Sequence, residues 1–164
     1  MEQVFETVFE SERIRFVKLD VALVPDYLAM VNDIERVGRF IGRRTEPLTE
    51  EKETEWVRGK REANATAWSM IAKADGAFIG NVEIMDPENR EGELGIALTA
   101  KRQDQGFGKE AIRAVLAYAK TTLGLNRVRL KVYPDNLRAR HVYSACGFAE
   151  YGRSDGDVLM EIFL

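Results

Sequence analysis

A chain of 164 residues, 45% hydrophobic and 31% charged, has the size and balance of one globular domain with its own core, so residues 1–164 are expected to form a single domain. A formal net charge of -3 weighs against a general nucleic-acid binder, which carries a positive excess or a basic stripe. The single cysteine excludes an internal disulfide, no apolar run approaches a membrane span, and the start Met1-Glu2-Gln3-Val4-Phe5-Glu6 is acidic where a signal peptide is basic. The expectation is a soluble, cytoplasmic protein with no membrane or nucleic-acid partner.

In chain order, residues 12–19 alternate in part through Ile14 and Phe16 and predict a first strand. Pro25 suits the first turn of a helix whose apolar face holds Val24, Tyr27, Leu28, Val31 and Ile34. Residues 36–46 read as irregular and carry Arg36, Arg39, Arg43 and Arg44, either a solvated loop or the mouth of a site. Thr49 is placed as an N-cap, with Glu50 and Glu51 where acids favour the helix dipole. The helix that follows, to about residue 63, has little apolar surface beyond Trp56 and Val57 and is expected outside.

Strands 67–73 and 77–85 flank Ala74-Asp75-Gly76, and Asp-Gly is a strong hairpin signal. A polar turn at 86–90 leads to a strand from Gly92 to Leu98, so the middle of the chain reads as an antiparallel meander. Beyond it a Gly-rich turn opens a helix over 106–122, with Ile112, Val115, Leu116 and Ala119 on one face. A strand at 127–133, a helix at 136–145 and a final hairpin ending in Val158–Leu164 complete the order. Meander plus β-α-β predicts an α/β (α+β) fold, a mixed, mostly antiparallel sheet flanked by helices.

The richest stretch for chemistry is Gln103-Asp104-Gln105-Gly106-Phe107-Gly108-Lys109. A helix start presents unpaired N–H groups and the positive dipole end, glycines let that backbone close on an anion, and Lys109 adds a cation. A nucleotide P-loop needs Gly at 103 and Ser or Thr after the lysine, where the chain has Gln103 and Glu110. A dinucleotide fingerprint fits the letters Gly106-Phe107-Gly108-Lys109-Glu110-Ala111, with Asp135 near the place of a ribose ligand, but too little chain follows for the further parallel units it needs. A tight turn without a ligand satisfies the same glycines.

Gln103-x-x-Gly106-x-Gly108 resembles the pyrophosphate-binding signature of the GNAT superfamily of acetyl-CoA-dependent N-acetyltransferases. Glu93-Leu94-Gly95-Ile96-Ala97-Leu98 resembles the strand before that signature, and Asn136-x-x-Ala139-x-x-x-Tyr143-x-x-x-Gly147-Phe148 the second cofactor block. The likeness covers roughly residues 67–163. It is nearest to the branch holding ribosomal-protein N-terminal and spermidine or polyamine acetyltransferases; His141 to Phe148 is similar to the latter. The resemblance implies a GNAT-like acyl-CoA N-acyltransferase fold and direct transfer of an acetyl group from acetyl-CoA to a primary amine in a ternary complex, with no metal. Backbone of Ile96, Ala97 and Leu98 would pair with the pantetheine arm, and Gln103, Gln105, Gly106, Phe107, Gly108 and Lys109 would hold the pyrophosphate. Asn136 would bond the pantetheine or simply cap its helix. Tyr143 would protonate the departing thiolate, a role compatible with core packing by its ring.

For the base, Glu93 comes first, because alternation sets it on the face of Gly95 and Ala97, and Glu83 second; a solvated strand carboxylate is the plainer role of either. His141 lies two residues from Tyr143, roughly 200° around a helix, and is expected at the surface. Cys146 reads as a small core residue. The acceptor is a small-molecule amine or a peptide N-terminus. The arginines of 36–44 would repel a polycation and lean the reading toward a peptide N-terminus or an acidic acceptor. Alternatives are a polyamine acetyltransferase and a non-catalytic acyl-CoA-binding module; a homodimer is left open beside a monomer.

Overall fold

The structure, a computed structural model, describes residues 4–164, so the acidic start Met1–Gln3 lies outside the described residues. Among the described residues, eight strands hydrogen-bond in the order β1-β2-β3-β4-β5-β6-β8-β7. Their ranges are β1 Thr7–Glu10, β2 Ile14–Lys18, β3 Ala67–Ala72, β4 Phe78–Glu88, β5 Glu91–Leu98, β6 Arg127–Val132, β7 Ala149–Ser154 and β8 Asp157–Phe163. The α-helices of the described residues, α1 Val24–Val31, α2 Glu50–Glu62, α3 Phe107–Thr121 and α4 Leu137–Ala145, occupy connections between strands. The β5–β6 pair is parallel, whereas β1–β2, β2–β3, β6–β8 and β7–β8 are antiparallel, the mixed and mostly antiparallel α/β sheet expected. No helix among the described residues is long and apolar enough to cross a membrane.

The chain divides into two compact units, one running to Val82 and taking in Ile96–Gln103, the other comprising Glu83–Gly95 and Asp104–Leu164. In the first, the expected strand over 12–19 is the second arm of a hairpin. Thr7–Glu10 pairs with it, and Phe9 stacks on Phe16 with ring centroids 4.3 Å apart and meets Trp68 edge-on at 5.0 Å. Aromatic packing across strands stabilises a four-residue element whose own pattern is too short to read. Pro25 sits in the first turn of α1, which ends at Val31, short of Ile34. Val24 and Tyr27 pack with Val17, Ala67, Ile71 and Val57 in one core cluster.

Thr49 caps α2, its Oγ1 accepting from the Lys52 N–H at 3.2 Å, and the acids of the first turn complement the dipole. The helix does not lie wholly outside: Val57 is fully buried and Glu53 is buried beside it on the same face. The loop before it is closed by Asn32, whose side chain both donates to Leu48 O at 3.1 Å and accepts from Leu48 N at 2.8 Å. The Asp-Gly hairpin forms as expected, with Gly76 at φ +71° and the Asp75 carboxylate accepting from the Ala77 N–H at 3.0 Å.

In the second unit the polar turn contracts to Asn89 and Arg90, consecutive left-handed residues at φ 53° and 62°. That backbone suits a tight hairpin, and it lets β4 run on to Glu88 and β5 begin at Glu91. The apolar stripe of α3 is buried through Ala111, Ile112, Val115, Leu116 and Ala119. The parallel ladder registers Glu91 with Arg127, Gly92 with Val128 and Glu93 with Arg129, and among the described residues of this unit it goes no further. By contrast β6 pairs with β8 along its whole length, from Arg127↔Phe163 to Val132↔Val158.

Candidate active site

The start of α3 is made by backbone. Gly106 is its N-cap at φ +84°, a left-handed conformation that suits glycine, and no side chain caps the helix. Residues 104–106 are exposed, whereas Phe107 turns inward and is buried, fixing the first turn while the loop before it stays open to solvent. Asp104 is also left-handed, at φ 60°. Its carboxylate receives two bonds of 3.1 Å from the Arg138 guanidinium, a bidentate pair that ties the glycine loop to the first turn of α4. Gln103, in the other unit, donates from Nε2 to Leu98 O at 3.3 Å and so holds the exit of β5.

α4 opens at Asn136, whose Oδ1 accepts from the Ala139 N–H at 3.3 Å, so the capping role is present. About two turns on, Tyr143 is 7% exposed and its ring meets Phe148 with centroids 5.9 Å apart. Its hydroxyl makes no hydrogen bond among the described residues, and burial pushes its pKa up to about 12. His141 is exposed. Cys146 is half-buried rather than core, its Sγ donating to Lys109 O at 3.9 Å, and burial pushes the thiol up against the opposing pull of Arg113 and Lys109.

The two carboxylate candidates differ in setting. Glu93 is half-buried at the last registered pair of the β5–β6 ladder, opposite Arg129. Glu83 lies over Gly95: a β-carbon placed there would be 3.5 Å from Glu83 Cγ and 3.7 Å from its Oε1. The structure thus brings Glu83 onto the very residue, Gly95, whose face alternation assigns to Glu93. Glu91 is taken up differently, by Arg127 at 3.4 Å and Arg129 at 3.7 Å, while Arg127 also bonds Glu161.

Of the loop arginines, Arg36, Arg39 and Arg43 are exposed. Arg44 is half-buried, its Nε without a hydrogen-bond partner among the described residues, and its charge opposes the upward push that burial gives the Glu53 carboxyl. One polar chain leaves almost no signal in the sequence. Tyr27 Oη bonds Ser69 Oγ, and Ser69 Oγ donates to Asn81 Oδ1 at 2.8 Å, inside a region otherwise apolar. The only trace of it in the sequence is a serine within Ala67–Ala72, where every residue is buried, and an asparagine among the apolar residues of β4.

Residues 13–149 match the family model described as an acetyltransferase (GNAT) domain. The chain belongs to the GNAT acetyltransferase family. Among relatives, the GNAT chain is 31% identical over 103 residues to a spermidine N(1)-acetyltransferase of Vibrio cholerae, covering 62% of this chain and 57% of that one. It is 25% identical over 132 residues to a putative ribosomal N-acetyltransferase, YdaF, of Bacillus subtilis, covering 76% and 71%. The chain spans little more than half the length of the first curated relatives it matches. Among solved structures, a GNAT-family acetyltransferase from Bacillus anthracis superposes with a TM-score of 0.83 at 18% identity, covering 98% of each chain. A spermidine N-acetyltransferase from V. cholerae, described in complex with CoA and spermine, superposes at 0.71 with 23% identity over 92% of this chain and 95% of that one.

Proposed function

We propose that this GNAT chain is an N-acetyltransferase that moves the acetyl group of acetyl-CoA directly onto a primary amine in a ternary complex, within one domain spanning residues 1–164. The observation that carries the reading is the start of α3: a left-handed Gly106 opens a helix with no side-chain cap, on a loop whose letters resemble the family's pyrophosphate signature. An uncapped helix start offers amides and a positive dipole end to phosphate oxygens. In this reading the amides of Gln105, Gly106, Phe107, Gly108 and Lys109 hold the pyrophosphate, and Gln103 shapes the loop through its bond to Leu98 O. Backbone of Ile96, Ala97 and Leu98 pairs with the pantetheine arm as an added strand. Asn136, besides capping α4, bonds the same arm.

The chemistry assigns one proton to each side of the reaction. The amine nitrogen attacks the thioester carbonyl carbon, the C–S bond breaks as the tetrahedral centre collapses, and the Tyr143 hydroxyl donates a hydrogen bond to the departing thiolate sulfur. The proton lost by the amine goes to Glu93, directly or through a water, with Glu83 as the second carboxylate on that face. A phenol held near 12 keeps its proton at every working pH. Complete transfer to a thiolate whose acid lies near 8.5 is uphill by about 3–4 pKa units, so Tyr143 acts mainly by hydrogen-bonding the sulfur as charge develops, and solvent completes the protonation.

The acceptor in this reading is a peptide N-terminus or another amine with an acidic flank. Arg36, Arg39 and Arg43 are exposed and repel a polycation. An α-amine of pKa about 7.7–8.0 is also neutral often enough at pH 7 to need only a weak base, unlike an alkylammonium near 10.4.

The decisive experiment pairs binding with turnover. Acetyl-CoA at millimolar concentration should raise the melting temperature, and Gly108→Asp should abolish that shift through bulk and charge. Free thiol should then be released with an amine or N-terminal peptide as acceptor. An unchanged wild-type melt sinks the cofactor reading, and a shift without thiol release from any acceptor leaves a non-catalytic acyl-CoA-binding module.

A further inference from the structure

The chain Tyr27–Ser69–Asn81 crosses from α1 through β3 to β4 within one compact unit. Tyr27 and Ser69 are both fully buried, and Asn81 is half-buried. The directions of its bonds follow from counting protons. Tyr27 Oη accepts from the Asp20 N–H at 3.4 Å, and Ser69 is the group left to take the tyrosine's own proton. Ser69 Oγ, its acceptor side so occupied, gives its hydrogen to Asn81 Oδ1 at 2.8 Å. Burial pushes Tyr27 up to about 12, so the first proton of the chain stays in place throughout the working range.

With Oδ1 committed, Asn81 cannot flip without leaving Ser69 facing an N–H₂ group and its own proton without an acceptor. The amide is therefore locked with its Nδ2 hydrogens pointing away from Ser69, and among the described residues nothing accepts them. Asn81 points to the α1 side of the sheet, the side on which Ala97 packs against Met30, Val31 and Val37. It follows Gly80, where an added β-carbon would sit 2.0 Å from Ala97 O, so β4 at this point runs tightly against the strand segment assigned above to the pantetheine. A rigid, partly open donor beside that segment, on the helix side, is built to receive an oxygen.

We propose that Asn81 binds the acceptor substrate by donating from Nδ2 to a carbonyl oxygen adjacent to its reacting amine, with Ser69 and Tyr27 as positioning residues. This rests on the transfer reading above and narrows it. A peptide N-terminus or an amino-acid amide carries such an oxygen one carbon from the amine. A polyamine carries only donors at neutral pH and gives the locked N–H₂ group nothing to bond, so the acceptor class is the α-amino carbonyl.

The test compares a dipeptide amide with spermidine, each scored as variant over wild type so that the amine's own basicity cancels. Asn81→Ala should raise KM for the dipeptide amide about tenfold and leave KM for spermidine and the acetyl-CoA melting shift unchanged. Asn81→Asp keeps the oxygen that Ser69 needs and replaces the donor by a carboxylate, so it should weaken the dipeptide amide at least as much while lowering KM for spermidine. Ser69→Ala unlocks the amide and should raise KM for the dipeptide amide about threefold with kcat nearly constant, which a general loss of fold would not do. Equal effects of Asn81→Ala on both acceptors, or none on the dipeptide amide, overturn the proposal, as does a wild type that acetylates spermidine alone. If wild type acetylates no amine at all, the transfer reading fails and takes this one with it, a result distinct from the other three.

Discussion

At the opening of α3 the groups on offer are backbone amides gathered within a few residues, and the geometry is set by Gly106 at φ +84°. Between Tyr27 and Asn81 the groups are side chains, joined by bonds that span 42 residues from Tyr27 to Ser69 and 12 from Ser69 to Asn81. Backbone recognition constrains the sequence tightly, because only certain residues permit the conformation, and it suits a ligand part that never varies. Side-chain recognition is assembled by packing and can be retuned by one substitution, which suits a variable acceptor. The two proposed halves of the reaction therefore differ in how mutation should break them.

The largest effect is expected at Tyr143, which belongs to the invariant half. Tyr143→Phe keeps the ring on Phe148 and deletes the proton, so kcat should fall about 10²–10⁴-fold while the acetyl-CoA melting shift is preserved. Steady-state kinetics beside a thermal-shift titration measures this, and turnover at the wild-type rate would return Tyr143 to packing alone. For the base, Glu93→Gln should lower kcat in steady-state kinetics more than Glu83→Gln does. The reverse result exchanges the two carboxylates.

Alkaline stability sharpens the comparison, since each half buries one tyrosine. Tyr27 and Tyr143 are both raised to about 12 in the fold, against about 10 when unfolded, so the fold favours the neutral phenol. That stabilisation is complete below pH 10 and is lost as pH climbs from 10 towards 12, at about 2–3 kcal/mol for each ring. Melting temperature should drop steeply over that window in wild type, and less in Tyr27→Phe or Tyr143→Phe.

Smaller effects separate structural from ligand roles on α4. Asn136→Ala removes the cap at Ala139 and should cost about 1 kcal/mol, whereas Asn136→Ser restores the cap. If the serine variant recovers stability but not acetyl-CoA affinity, the pantetheine role of Asn136 stands. The Asp104–Arg138 pair is exposed on both sides, so Arg138→Ala should change stability by no more than about 1 kcal/mol in a denaturant titration.

Most elements were legible because they are local. The Asp-Gly hairpin, Thr49, Pro25 and the apolar stripe of α3 each declare themselves within one or two turns of chain. Strand β1 was not, because Thr7–Glu10 alternates too briefly and owes its place to Phe9 on Phe16 and Trp68. The extent of α2's burial escaped for a related reason: only Val57 and its neighbour Trp56 anchor a helix that is otherwise polar. The site divided in the same way. Its glycine loop and its Tyr143 block stand in the letters, while Glu83 over Gly95 and the Ser69–Asn81 bond depend on which strands become neighbours.

The sequence by itself determined the mixed sheet and the helix start with its glycines, because these follow from residue periodicity and from φ angles that only a few side chains tolerate. Tertiary structure alone decided that Asn81 has one fixed orientation. An asparagine in a strand has two equivalent flips until a buried donor selects between them, and that donor, Ser69, gains its direction from a tyrosine on a helix far away in the chain.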